Sequence, residues 1–101
     1  MSDNQVILRG RLVEREALRH TPAGVPIVRF RVAHESTQSE GGVARKVGCE
    51  VRVVAAQTEA RLLAGAPLGS DLRIAGFLDR QGKTGKQLVL HATRIEFISD
   101  N

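Results

Sequence analysis

Between Ile27 and His34, Val28, Phe30 and Val32 alternate with Arg29, Arg31 and Ala33, so two guanidinium groups project from the side opposite an apolar stripe. A second alternating run, Lys46 to Ala56, sets Val47, Cys49, Val51 and Val53 against Lys46, Gly48, Glu50 and Arg52. Farther along, Arg80, Lys83 and Lys86 flank or interrupt the short polar tip from Gln81 to Gly85. Cations spaced along extended backbone track a polyanion, and the chain carries 15 Lys+Arg against 11 Asp+Glu, a formal charge of +4. Only Lys46, Lys83 and Lys86 of the basic residues are lysines. The arginine excess supplies forked donors for phosphate and flat guanidinium planes that can lie on bases. The candidate binding set is therefore Arg29, Arg31, Lys46, Arg52, Arg80, Lys83 and Lys86. The plain alternatives are that Arg29, Arg31 and Arg52 form a solvated face or pair with Glu50 across strands.

Phe77 falls out of phase with Leu72, Ile74 and Leu78, which puts it on the outward side as a base-stacking candidate and the eighth member of the set. Packing in a minor core or at a dimer interface is the competing role. Phe30 and Phe97, the other aromatics, read as core. His34 lies in phase with Phe30 and Val32, and His91 lies between Leu90 and Ala92. Neither has a second His, Cys or carboxylate at metal-ligand spacing, so no metal or cofactor is expected. Cys49, in phase with Val47 and Val51, reads as a small core residue without an activating base. Gly82-Lys83-Thr84 suggests a phosphate loop, but that motif needs four residues between its glycines, and five separate Gly76 from Gly82. A strand-like run follows it where a helix N-terminus would be required. With no nucleophile beside a base and no paired carboxylates, an enzyme is not expected.

The elements that must position these residues are short strands. Val6 to Val13 is interrupted by Gly10, which marks a bend through which one strand can serve two halves of a barrel. Thr21-Pro-Ala-Gly-Val-Pro26 makes a rigid turn before a second strand from Ile27 to His34. Glu35 to Ala44 is polar and glycine-bearing and reads as a mobile loop. Lys46 to Ala56 is the third strand. A short helix from Thr58, read as its cap, runs to about Ala64 and ends at Gly65. Leu72 to Arg80, bent at Gly76, and Gln87 to Ile98, whose phase shifts before Ile95, complete five strands. Ser99-Asp100-Asn101 is expected to fray.

Three strands, a short helix and two further strands predict an all-β, five-stranded OB-fold barrel with the helix between strands three and four. At 101 residues the chain suits one OB-fold domain, residues 1–101. Its single cysteine excludes an intrachain disulfide. No signal-like opening or bilayer-length apolar run is visible, so a cytoplasmic protein without membrane contact is expected. A small sheet protein with few aromatics commonly covers leftover apolar surface by oligomerising.

The turn Thr21-Pro-Ala-Gly-Val-Pro26, Phe30, and Val32-Ala-His34-Glu-Ser36 resemble the primosomal replication protein N (PriB) family. Gly76-Phe77-Leu78, Leu88-Val-Leu-His91-Ala92 and Ile95-Glu96 extend the resemblance over essentially the whole chain. The resemblance implies a homodimer of OB domains that binds single-stranded DNA and joins a primosomal helicase and a single-stranded DNA-binding protein during replication restart. Departures accompany it. Where members of the family carry stacking aromatics, this chain has Val43 and Gly48, and Glu35 stands where a basic residue often follows the second-strand histidine. Arg80, Lys83 and Lys86 match basic positions of the family's loop between strands four and five. Two alternatives remain open: a protein–protein adaptor of the replication machinery with weak DNA affinity, and an RNA-binding OB domain, because every phosphate backbone attracts the same cations.

Overall fold

The computed structural model describes residues 3–99. Its elements are β1 (Val6–Arg15), β2 (Arg19–His20), β3 (Pro26–Glu40), β4 (Val43–Ala56), α1 (Thr58–Ala64), β5 (Asp71–Arg80) and β6 (Leu88–Phe97). The five long strands are those expected; β2 is a two-residue stub paired with the start of β3. The sheet runs β1-β5-β6-β4-β3-β2, and β1 also pairs with β3, so the five long strands close into a barrel.

Closure depends on β1 changing partners. Its first half, Val6 to Arg11, pairs with β5, and its second half, Arg11 to Arg15, pairs with β3. Gly10 sits at the crossover because a Cβ there would lie 2.9 Å from that of Val32. Gly76 answers a tighter approach: a Cβ would fall 1.9 Å from the His91 carbonyl oxygen. Beside it the β5–β6 register slips, Ala75 facing Arg94 and Gly76 facing Ala92, so Thr93 bulges out of β6. This slip is the phase shift expected before Ile95. Beyond the slip, where β4 no longer pairs with β6, the Ile95 amide donates to the Glu59 carboxylate at 2.8 Å and ties α1 to the sheet.

Inside the barrel Leu12, Val28, Phe30, Val32, Val53, Leu72, Ile74 and Leu90 are buried, and α1 closes one end with Ala60 and Leu63. The helix has the expected span and ends at Gly65, but Thr58 is not its cap. Gln57 occupies that position at φ 57° and makes no side-chain cap bond, so Thr58 is already the first helical residue. The Thr21–Pro26 turn is as expected, with the Gly24 amide donating to the Thr21 carbonyl at 2.8 Å and that of Val25 to the Thr21 hydroxyl at 3.1 Å.

One expectation fails outright. Glu35 to Ala44 is not a loop: β3 continues to Glu40, β4 begins at Val43, and only Gly41-Gly42 turns between them. Both glycines have positive φ, 60° and 81°, the requirement of a type I′ hairpin turn. Ladder hydrogen bonds hold this ribbon without a core beneath it. Cys49 accordingly is exposed, not core, because by that point the inward-phase side of β4 has left the barrel. Phe97 keeps the inward phase of Ile95 but lies at the strand's end opposite Leu72, where it is 45% exposed. Of the terminal segment expected to fray, Asp100 and Asn101 lie outside the described residues.

Candidate nucleic-acid interface

The outward residues of β3 and β4 meet in register, with Arg29 opposite Val54, Arg31 opposite Arg52, Ala33 opposite Glu50 and Thr37 opposite Lys46. Two arginines directly opposed across antiparallel strands repel, and a fold has no structural reason to place them so. Carboxylates relieve part of that repulsion: Arg31 meets Glu14 at 2.6 Å and lies 3.1 Å from Glu50. The pairing of Arg31 with Glu50, one of the plain alternatives, is thus real. Arg52 is held by neutral acceptors, its Nη1 donating to the side-chain oxygens of Gln87 and, at 3.4 Å, Gln81. These bonds fasten the β5–β6 loop over β4 without cancelling the charge.

A concavity of about 380 Å³ opens on this face, and Arg29, Arg31, Arg52 and Arg80 line it together. Phe30, Val54 and Val89 give it an apolar floor, His91 part of a wall, and Glu14 and Glu16 a rim. Glu16 is itself engaged by Arg19 at 3.2 Å. The arrangement is a groove with an apolar base and four arginines along it, suited to phosphates beside the arginines and flat groups within.

Four of the eight residues expected from the sequence are thereby brought together. Lys46 shares the outward face but stands farther out on the ribbon, and Lys83 and Lys86 are exposed on the β5–β6 loop beyond the cavity. Phe77 points outward as its phase requires, is 40% exposed, and stacks on His91 across β5 and β6. Sequence reasoning missed Glu14, Glu16, Val54, Val89 and His91 as parts of the concavity. Val54 was findable, being two residues past Arg52 in the same phase. His91 was obscured by its apolar neighbours, although it is out of phase with Leu88 and Leu90.

Other polar residues have structural work. His34 Nδ1 donates to the Arg9 carbonyl at 2.7 Å and its Nε2 meets the Ser36 hydroxyl at 2.8 Å, pinning β3 to β1. On the barrel wall Arg9 engages Asp71 and, through that hydrogen bond first, holds its carboxyl below the usual carboxylate range. Val43 and Gly48 sit on the ribbon without rings, Val43 beside the turn and Gly48 opposite Glu35.

A sequence profile described as "another single-strand binding protein family" matches residues 4–94. The replication restart protein PriB of Nitrosomonas europaea is 36% identical over 94 residues, covering 91% of this chain and 87% of its own. The chain belongs to the PriB family of single-strand binding proteins. Among solved structures, PriB from Ralstonia solanacearum superposes with a TM-score of 0.87 at 34% identity, covering 96% of this chain and 100% of that one. The single-stranded DNA-binding protein of Thermus aquaticus reaches a TM-score of 0.77 at 26% identity, over 96% of this chain and 50% of that chain. The PriB and single-strand binding structures thus share the OB barrel found here.

Proposed function

We propose that this protein binds single-stranded DNA in replication restart, as one OB-fold domain acting through binding and not catalysis. Contact runs along the outer face of β3 and β4, across the end of β5 and onto the β5–β6 loop, chiefly through Arg29, Arg31, Arg52 and Arg80, with Lys46, Lys83 and Lys86 extending the cationic track. The observation that carries this reading is the convergence of four arginines from three strands on one concavity. Its family relatives, named for replication restart and for single-strand binding, support the same assignment. The resemblance extends the proposal to a cytoplasmic homodimer working beside a primosomal helicase and a single-stranded DNA-binding protein.

Affinity carried by phosphate contacts falls with salt, log K declining against log[salt] by ~0.7 for each phosphate neutralised on a single strand. Titration of a labelled oligonucleotide across ionic strengths should give a steep slope. Lys83→Ala or Lys86→Ala should lower it by somewhat under one, and Arg52→Ala should also weaken binding at every salt concentration. Salt-independent binding, or no change in the Lys83→Ala/Lys86→Ala double variant, would refute the mechanism. The adaptor reading draws on the ring-free ribbon positions Val43 and Gly48 and on the carboxylates around Arg31. Partners that survive nuclease treatment in a pull-down, together with weak oligonucleotide binding, would favour it.

A further inference from the structure

A single-strand binder gains affinity from aromatic rings on which bases stack, and the ribbon of this chain carries no ring. The barrel wall does. The Phe77 and His91 rings lie parallel, with centroids 5.0 Å apart and planes inclined by 5°. They face one another on adjacent strands just beyond the Gly76 close approach, where Phe77 pairs directly with His91. His91 lines the arginine concavity and Phe77 does not, so the order from cavity outward is concavity, imidazole, phenyl. Val54, in register with His91 across the parallel β4–β6 pairing, and Val89 continue an apolar surface beside the imidazole.

We propose that His91 is a base-stacking residue and that Phe77 is its positioning residue. This rests on the single-strand reading of the concavity and specifies what enters it: a base lies against His91 and the neighbouring valines while its flanking phosphates meet Arg29, Arg52 and Arg80. The cavity falls in the size range that accepts a small organic group, and its apolar floor with a charged rim matches a base with a flat apolar face and a polar edge. Phe77 covers one side of the imidazole and restricts its rotation, so the ring is held ready for a base. The outward phase of Phe77 thereby takes a different meaning: its ring serves the site by backing a second ring.

The test compares an oligothymidine with an abasic deoxyribose-phosphate strand of equal length, because loss of fold or of phosphate contacts weakens both alike. The native protein should prefer the oligothymidine. His91→Ala should cut that preference by about fivefold or more. Phe77→Leu should cut it less. The chain has no Trp or Tyr, so His91→Trp installs a sole tryptophan in the proposed position. It should retain the preference and its emission should be quenched by oligothymidine but not by the abasic strand. A preference unmoved by His91→Ala, or an unquenched tryptophan in a bound complex, overturns the stacking role while Arg52-dependent binding leaves the single-strand reading standing. Failure of the native protein to bind either strand overturns both.

Discussion

β3 and β4 are one antiparallel ladder from Ile27–Ala56 to Glu40–Val43, yet its two halves live in different surroundings. In the barrel half, Val28, Phe30, Val32 and Val53 are buried while Arg29 and Arg52 face outward; in the ribbon half, from Thr37 to Lys46, every residue is exposed. The same hydrogen-bond pattern therefore serves two ends. The barrel half holds its arginines in fixed register over an aliphatic core, whereas the ribbon half carries Lys46 on a backbone held by its own ladder and turn. Precision of charge placement follows burial on the opposite face, which is why the concavity forms where it does and not along the whole hairpin.

If the barrel half owes its stability to packing, truncation there is costly and truncation on the ribbon is not. Leu90→Ala, removing a fully buried side chain beside Val53, should lower unfolding free energy by about 2–5 kcal/mol in a denaturant titration. Thr37→Ala on the ribbon should stay within about 0.5 kcal/mol. Equal losses would erase the distinction between the halves.

A smaller effect probes whether the ribbon opens on its own. Gly42 has φ 81° with open space around it, so Gly42→Ala meets no clash and carries only the cost of the left-handed conformation, about 1–2 kcal/mol. That cost should appear as faster amide exchange in Gln38 to Arg45, about 5–30-fold, with an unchanged denaturation midpoint, as expected for a segment of low local stability. A midpoint shifted by the full amount would mean that ribbon and barrel unfold as one.

The contrast between the halves also explains what could be read from the chain. Where a core lay behind the strand, alternation identified it: Val28, Phe30 and Val32 inward, Arg29 and Arg31 outward, with bends at Gly10 and Gly76. Where none did, alternation carried no information about strand existence, and Ser36 to Glu40 read as loop although Gly41-Gly42 is a hairpin turn signal. Cys49 and Phe97 show the converse error. Phase tells which side of a strand a residue occupies, not whether anything packs there. The candidate site was half legible for the same reason, since outward cations follow from phase but the convergence of Arg80 and His91 with them depends on the parallel β4–β6 closure, a contact between distant segments with no local signature.

The smallest effect separates two ion pairs, one in each region. Arg45 meets Glu40 at 2.7 Å beside the ribbon turn, both side chains well exposed, whereas Arg9 meets Asp71 on the barrel wall with Asp71 about a third exposed. The Arg9 guanidinium holds the Asp71 carboxyl below its ordinary value of 3.8. A carboxyl lowered in the folded state binds protons less readily there than in the unfolded chain, so its contribution is present above pH 3.8 and is lost as pH falls through the lower folded value. Asp71→Asn should therefore be slightly less stable than the native protein near neutral pH, and the gap should close as acid protonates the native carboxyl. Glu40→Gln should show little difference at neutral pH. Thermal midpoints of the three proteins at neutral pH and at successively lower pH values from 3.8 downward decide the matter. A gap for Asp71→Asn that persists in acid would assign its effect to packing, and a comparable gap for Glu40→Gln at neutral pH would show that the exposed ribbon stabilises charge pairs as well as the barrel wall does.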